Sequence, residues 1–298
     1  MESPIFTTDF NVKNVKEKEY FGDVLVRRFK VKRKILSLKT SQKIEVFDTF
    51  PLGRILVLDG ILQLSEKYEF IYHEMITHLP IFSHPSAQRV LIIGGGDGGV
   101  LREALKHPIK EVYLVETDRK ILEVSEKFLP FLKLKNSLGD KRTKVIFQDG
   151  RKFVKRFKNF FDVIVVDSTD PLNLSLPLFQ KRFYQNCYLA LKKKGIFITQ
   201  SGNFFDQVFE IKGTVRKLKE IFDEVRISHF FTPDYQGSDF SLTLGARKMN
   251  PDIKLEKLKE RAKDIKGLKY YSPYLHLASF ILPIFYQKKI YGKSPFGL

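Results

Sequence analysis

Through residues 1–65 short apolar runs alternate with polar punctuation. Val24–Phe29, Lys43–Asp48 and Arg54–Leu58 are rich in branched side chains and are bounded by Gly22, Pro51-Leu52-Gly53 and Asp59-Gly60, the pattern of strands separated by turns. Between Leu56 and Leu64 the pair Asp59-Gly60 interrupts an apolar stretch, which predicts a two-residue hairpin. Residues 1–66 are therefore expected to form a small all-β domain, and 67–298 a larger one. From Tyr68 the period lengthens, and Tyr68–Phe82 fits a helix. Beyond it, apolar strands at Arg89–Ile93, Glu111–Val115, Lys144–Phe147, Phe161–Val166 and Gly195–Thr199 alternate with helical stretches. Such alternation predicts an α/β fold, an open parallel sheet covered by helices on both faces. Val225–Phe231 and Phe240–Ala246 predict a closing pair of strands, and Lys254–Lys266 and Pro273–Phe280 predict helices.

Charge complicates this picture. The net charge is +18, which raises nucleic acid or an acidic membrane surface as partners. The excess falls largely on stretches read as solvent-facing helices, such as Lys254, Lys257 and Arg261, so a Lys-rich solvated exterior is expected, with no nucleic acid and no membrane as partner. No apolar run is long enough for a transmembrane helix, and MESPIFTTDF lacks the basic start and apolar stretch of a signal peptide. The single cysteine, Cys187, excludes an internal disulfide, fits a reducing compartment and reads as core filling on a helix. A cytoplasmic location is expected.

The chemistry starts at Val90–Leu101, where a buried strand runs into Gly94-Gly95-Gly96-Asp97-Gly98-Gly99 and then a helix. Gly94, Gly96 and Gly99 have the spacing of a nucleoside-binding turn, and Glu116 ends the next strand where a carboxylate accepts ribose hydroxyls. Asp97 decides between ligands. A turn that cradles a pyrophosphate should not carry a carboxylate, whereas a sulfonium or an amine welcomes one. Asp149-Gly150 follows the third strand; this Asp suits an adenine amino group and equally the N-cap of a helix starting near Arg151. The next strand ends in Asp167-Ser168-Thr169-Asp170-Pro171. Asp97, Glu116, Asp149, Asp167 and Asp170 thus fall at the carboxyl edge of the sheet, where ligands bind, and no Lys or Arg stands at those turn positions. An acidic crevice inside a basic exterior selects a polycation.

Several segments in order resemble the spermidine synthase (polyamine aminopropyltransferase) family: the GGGDGG loop at 94–99, Leu56-Val57-Leu58-Asp59-Gly60 with Gln63, Glu69-Phe70-Ile71-Tyr72-His73-Glu74-Met75, Asp149-Gly150, Asp167–Pro171, and Tyr270-Tyr271 with His276, Phe280, Leu282 and Pro283. The likeness covers nearly the whole chain. It implies a Rossmann-like, class I methyltransferase-type sheet, mostly parallel with an antiparallel closing strand, behind the small N-terminal all-β domain. It also implies transfer of an aminopropyl group from decarboxylated S-adenosylmethionine, as co-substrate, to a polyamine acceptor, putrescine first. Gln42, Asp97, Glu116, Asp149 and Gly150 would hold the donor. Asp167 would accept the proton, and Tyr72, His73, Asp170 and Tyr235 would position the amine. Gln200 matches a substrate-binding Gln. The family likeness further suggests a homodimer or homotetramer through the β domain. The chain departs from the family pattern at Asn173-Leu174-Ser175, Gln236, Phe240 and Tyr68, positions that border the acceptor pocket.

An alkylammonium has no lone pair, so the site must bind the cation and then remove a proton, and Asp167 fits both tasks. Methylthioadenosine leaves neutral, so neither a general acid nor a metal is required. His73, His78 and His84 form no recognisable metal cluster in the sequence, and His78 and His84 read as ordinary helix-end residues. The competing readings are an RNA methyltransferase, a non-catalytic polyamine-binding protein and an NAD dehydrogenase.

Overall fold

The structure, a computed structural model, describes residues 5–7, 28–169, 175–235 and 237–292. Five antiparallel strands form the first sheet in sequential order: β1 (Ile5–Thr7), β2 (Arg28–Lys39), β3 (Lys43–Thr49), β4 (Gly53–Leu58) and β5 (Ile61–Ser65). The hairpin between β4 and β5 is the one expected. Leu58 pairs with Ile61, and Asp59 and Gly60 both have positive φ, 48° and 86°, the twist-matched turn that favours Asp-Gly. The sequence marks only Val24–Phe29 before this point, and Val24–Arg27 lie outside the described residues. The strand that exists, β2, is longer. Its lysines and arginines mask the apolar period, and two register shifts, between Val31 and Arg33 and between Lys34 and Leu36, break it outright.

After β5 comes helix α1 (Glu69–Ser83), buried along almost its whole length. The second sheet follows: β6 (Arg89–Gly94), α2 (Gly99–Ala104), β7 (Glu111–Glu116), α3 (Arg119–Phe128), α4 (Leu134–Leu138), β8 (Thr143–Phe147), α5 (Gly150–Val154), β9 (Phe161–Asp167), α6 (Lys181–Ala190), β10 (Leu191–Asn203), α7 (Val208–Lys219), β11 (Glu224–Phe231) and β12 (Asp239–Ala246). Among the described residues three helices follow: α8 (Leu255–Ala262), α9 (Pro273–Ala278) and α10 (Ile284–Tyr291). The strand order is β11-β12-β10-β9-β6-β7-β8. β10, β9, β6, β7 and β8 run parallel, and β12 is antiparallel to both its neighbours. This is the expected α/β class.

Alternation along the parallel strands builds two cores. Val90, Ile92, Val163 and Val165 pack with Met75, Ile76 and Leu79 of α1, while Leu91, Ile93, Ile164 and Val166 pack with Phe183 and Tyr184 of α6 on the other face. Cys187 is a buried free thiol on α6. The small sheet joins the large domain through Ile44, Val46, Leu56 and Leu64, which meet Ile121 and Val124 of α3. Arg261 is not a merely solvated residue: its guanidinium donates to the carbonyls of Phe82, His84 and Pro85, closing the end of α1, whose last turn has no basic residue of its own.

The strand order reverses at β6, whose neighbours are β7 and β9. Crossover connections leave in opposite directions there, so a crevice opens at the carboxyl ends. Register brings the right residues to it: Gly94 pairs with Asp167, and Glu116 with Phe147. Among the described residues no helix is long and apolar enough to cross a membrane.

Candidate active site

The crevice is a cavity of about 430 Å³, within the usual range for small-molecule sites. Gln42, Tyr72, His73, Asp97, Glu116, Asp149, Gly150, Asp167, Gln200 and Tyr235 all line it, so the structure brings together ten of the eleven residues singled out in the sequence. Asp170 lies outside the described residues, as do Asn173, Leu174 and Gln236.

The glycine turn is shaped by its neighbours. Gly94 has φ 83°, and a Cβ there would stand 2.0 Å from the Asp167 carbonyl, so β6 leaves the sheet against β9 only because the side chain is missing. Gly95 N–H donates to the same carbonyl at 2.8 Å. A Cβ on Gly99 would meet the His73 ring at 2.2 Å. The turn thus seats Asp97, His73 and Asp167 in one cluster, with a ligand atom of each lying within 4.8 Å of the others.

Their charges separate. Tyr72 Oη donates to Asp167 Oδ1 at 2.8 Å. Asp167 Oδ2, buried and without a partner among the described residues, lies beside Gly95. Burial, reinforced by Asp97, pushes the Asp167 carboxyl up to about 7. Asp97 goes the other way. Burial would raise it, but His73 and the Gly99 amide hold it below the ordinary aspartate range; Gly99 N–H donates to Oδ1 at 2.6 Å. His73 sits between Glu69, 2.6 Å from Nδ1, and Asp97, 3.3 Å from Nε2. Burial opposes its charge, yet the two carboxylates push it up to about 10. At neutral pH the ring is an imidazolium.

At the far end Glu116 Oε1 accepts from the amides of Thr117 and Asp118, which leaves Oε2 beside Gly96, and burial raises this carboxyl. Asp118 caps α3 and accepts from Thr40 and Ser41 of the small sheet, tying the strand turn that carries Gln42 to the large domain. Asp149 is an N-cap, accepting from Arg151 N at 2.8 Å, and it also lines the cavity, so the cap and ligand readings coexist.

Three features correct the sequence reading. The crevice is not free of basic residues: Arg151 lines it and its guanidinium grips both Asp149 oxygens. His78 is no helix-end residue but sits buried within α1, its Nδ1 2.7 Å from His107 Nε2 and its Nε2 3.1 Å from Glu103. His73, expected to lack recognisable ligand partners, clusters with Asp97 and Asp167. Sequence reasoning also missed Asp234, a buried lining residue whose carboxylate accepts from the Ser65 amide and hydroxyl. A partner 169 positions away leaves no local signal.

An aromatic wall completes the site. Tyr72, Tyr235 and Phe240 meet at ring-centroid distances of 4.6 to 5.9 Å, beside a carboxylate at Asp167 and another at Asp234. Apolar walls with acids suit an alkylamine.

Comparison with known proteins decides the lineage. Residues 69–257 match the spermine/spermidine synthase domain. The chain belongs to the spermine/spermidine synthase family. Residues 18–66 match the spermidine synthase tetramerisation domain. The chain is similar to the polyamine aminopropyltransferase of Caldicellulosiruptor saccharolyticus, 43% identical over 265 residues that cover 88% of this chain and 92% of that one. It is 44% identical over 264 residues to the polyamine aminopropyltransferase of Caldicellulosiruptor bescii, with 88% and 92% covered. Among solved structures it resembles a spermidine synthase in complex with the transition-state analogue AdoDATO, with a TM-score of 0.88 at 35% identity over 97% of this chain and 96% of that one. Thermotoga maritima spermidine synthase gives a TM-score of 0.86 at 35% identity, with 97% and 95% covered. The spermidine synthase-type aminopropyltransferase expected from the sequence is the enzyme class this membership shows, and the methyltransferase, sensor and dehydrogenase readings fall away.

Proposed function

We propose that the protein transfers the aminopropyl group of decarboxylated S-adenosylmethionine to putrescine, giving spermidine and 5′-methylthioadenosine. The observation that carries this reading is the Asp97–Asp167 pair, two carboxylates in one cavity held in opposite states of readiness. Asp97, kept ionised, receives the ammonium of the donor's arm. Asp167, pushed up to about 7, takes a proton from the acceptor. Environments that drive two titratable groups apart mark such a division of roles.

Gln42, Glu116, Asp149 and Gly150 hold the nucleoside, with Glu116 Oε2 at the ribose and Asp149 at the adenine. Tyr72, His73, Gln200 and Tyr235 position the acceptor; for Asp170 the same role rests on the sequence alone. The acceptor enters as an ammonium with a pKa near 10.4. Proton transfer to an aspartate at the ordinary 3.8 costs about 9 kcal/mol, and to one at about 7 only about 5. Desolvation of the ammonium narrows the remaining gap. The freed lone pair then attacks the carbon beside the sulfonium in line; the new C–N bond forms as the C–S bond breaks, and the sulfur leaves neutral. The product nitrogen carries the remaining positive charge. Alignment and water exclusion supply most of the rest.

No step needs a metal. His73, with a carboxylate at each nitrogen, has no lone pair to offer one while it is an imidazolium. The carboxylates also repel the carboxylate of ordinary S-adenosylmethionine, which protects the reaction from the wrong donor. The match of residues 18–66 to a tetramerisation domain supports a homodimer or homotetramer built through residues 1–66, with 67–298 as the catalytic domain. The cytoplasm is the proposed location on the strength of the lone cysteine, which fits a reducing compartment.

The test is an acceptor panel of putrescine, agmatine, cadaverine and spermidine with decarboxylated S-adenosylmethionine, products separated by chromatography. Putrescine is expected to give the highest kcat/KM, with spermidine and 5′-methylthioadenosine in equal amounts. No methylthioadenosine with any amine overturns the proposal, and preference for another amine reassigns the acceptor.

A further inference from the structure

Behind the cavity, Asp97 and His73 continue into a chain of charged side chains that the reaction scheme does not use. Asp97 meets His73 at 3.3 Å, and His73 meets Glu69 at 2.6 Å. Both oxygens of Glu69 accept from the Arg102 guanidinium at 2.9 Å. Arg102 Nε donates to Glu103 at 2.8 Å, and Glu103 accepts from Lys106 at 2.6 Å. Glu69 and Arg102 are absent from the cavity wall, yet Glu69 is buried and the Arg102 side chain nearly so.

We propose that Glu69 and Arg102 are positioning residues that act on donor binding through His73, clamping its ring between two carboxylates and so aiming a charged Asp97 at the donor's ammonium. Three observations converge. The signs alternate along the chain when His73 is protonated: Asp97, His73, Glu69, Arg102, Glu103 and Lys106. The ring has no freedom to leave: Gly99 lies against it so closely that a Cβ would overlap it at 2.2 Å. Arg102 also fixes both Glu69 oxygens in a planar fork, a geometry that a lysine cannot supply. The groups facing His73 are Glu69 from its own helix, Asp97 from the glycine turn, and Asp167, which with Tyr72 lies across the cluster. Without its charge Glu69 can no longer hold the Arg102 fork and the His73 ring together, and the ring and Asp97 lose their fixed aim.

The inference rests on Asp97 receiving the donor's ammonium. Glu69→Gln keeps an oxygen for the ring N–H and removes the charge. Two ligands separate positioning from collapse: decarboxylated S-adenosylmethionine carries the ammonium and 5′-methylthioadenosine lacks it. In Glu69→Gln the Kd of the donor is expected to rise by about tenfold, the order of one misaligned hydrogen bond to a charged group. The Kd of methylthioadenosine is expected to stay within about twofold. Equal weakening of both ligands, or an unchanged donor Kd, overturns the proposal. Should Glu69→Gln fail to fold, Arg102→Gln is read the same way. ¹⁵N NMR of histidine-labelled wild-type protein, with His73→Gln identifying the signal, gives an independent check: an imidazolium at pH 8.5 is expected, and a neutral ring contradicts the clamp. Failure of the functional reading would appear instead as a wild-type enzyme that releases no methylthioadenosine.

Discussion

Removing one charge at Asp167 should damage the enzyme's activity and strengthen its empty fold. Asp167→Asn keeps Oδ1 as acceptor for Tyr72 Oη and deletes the buried negative charge. In the folded protein this carboxyl is raised from 3.8 to about 7, so folding favours its protonated form. The stability this confers is full below about pH 3.8 and is lost as pH rises through 7. At about 1.36 kcal/mol per pH unit, the native state gives up about 2–3 kcal/mol between pH 5 and pH 8. The asparagine variant suffers no such loss. With unfolding entropy near 2.1 cal/mol/K per residue, the difference amounts to about 3–5 °C for a chain of this length. The assay is the Tm of the unliganded protein, wild type and variant, at both pH values. The variant's Tm relative to wild type should rise by that amount from pH 5 to pH 8, whatever constant offset the new amide introduces. An identical difference at the two pH values would mean that Asp167 ionises as an ordinary aspartate, and the reasoning from its burial would be refuted.

Three further outcomes follow from the same geometry. Asp97→Asn keeps the acceptor for Gly99 N–H and removes the charge facing the donor, so the preference for decarboxylated over ordinary S-adenosylmethionine, measured as a ratio of Kd values, should fall by about 10- to 100-fold, the effect of about 1.5–3 kcal/mol for a hydrogen bond to a charged group; an unchanged ratio refutes that role. Gly99→Ala drives a Cβ into the His73 ring at 2.2 Å, and a loss of about 1–3 kcal/mol in denaturant unfolding is expected, as for other overpacked sites; wild-type stability would mean that the ring moves freely. The pH profile of kcat/KM should rise with pH through a limb near 7 as Asp167 loses its proton, and the corresponding limb in kcat should lie lower because a bound ammonium favours the carboxylate; coincident limbs would contradict a base that contacts the cation.

Periodic features were legible in the sequence, and partnerships were not. The parallel strands, the Asp-Gly hairpin and helix α1 follow from runs of apolar residues read with their turns, because backbone period and burial are local properties. Asp97, Glu116, Asp149 and Asp167 were legible as a group because each ends a parallel strand or begins the turn after it, and topology alone carries such ends to one edge. The Arg102 fork onto Glu69, 33 residues apart, was not, nor was Ser65 on Asp234, since only tertiary register makes those side chains neighbours. Arg151 beside Asp149 was overlooked for another reason: a basic residue opening a helix reads as solvated surface, yet its guanidinium folds back onto the preceding cap. The last helix, α10, was missed because Ile284–Tyr291 has little amphipathic period; its anchor is a stack of Tyr286 on Phe204 at 3.9 Å.

The most direct trial of an acidic cavity that grips an ammonium-tipped nucleoside and deprotonates an incoming amine is a single-turnover reaction. Enzyme loaded with decarboxylated S-adenosylmethionine is mixed with putrescine at pH 8, quenched over time and analysed for 5′-methylthioadenosine. Wild type is expected to convert its bound donor in full, while Asp167→Asn binds the donor equally and converts it at least about a hundredfold more slowly. Conversion by the variant within a few-fold of wild type would show that the proton goes elsewhere.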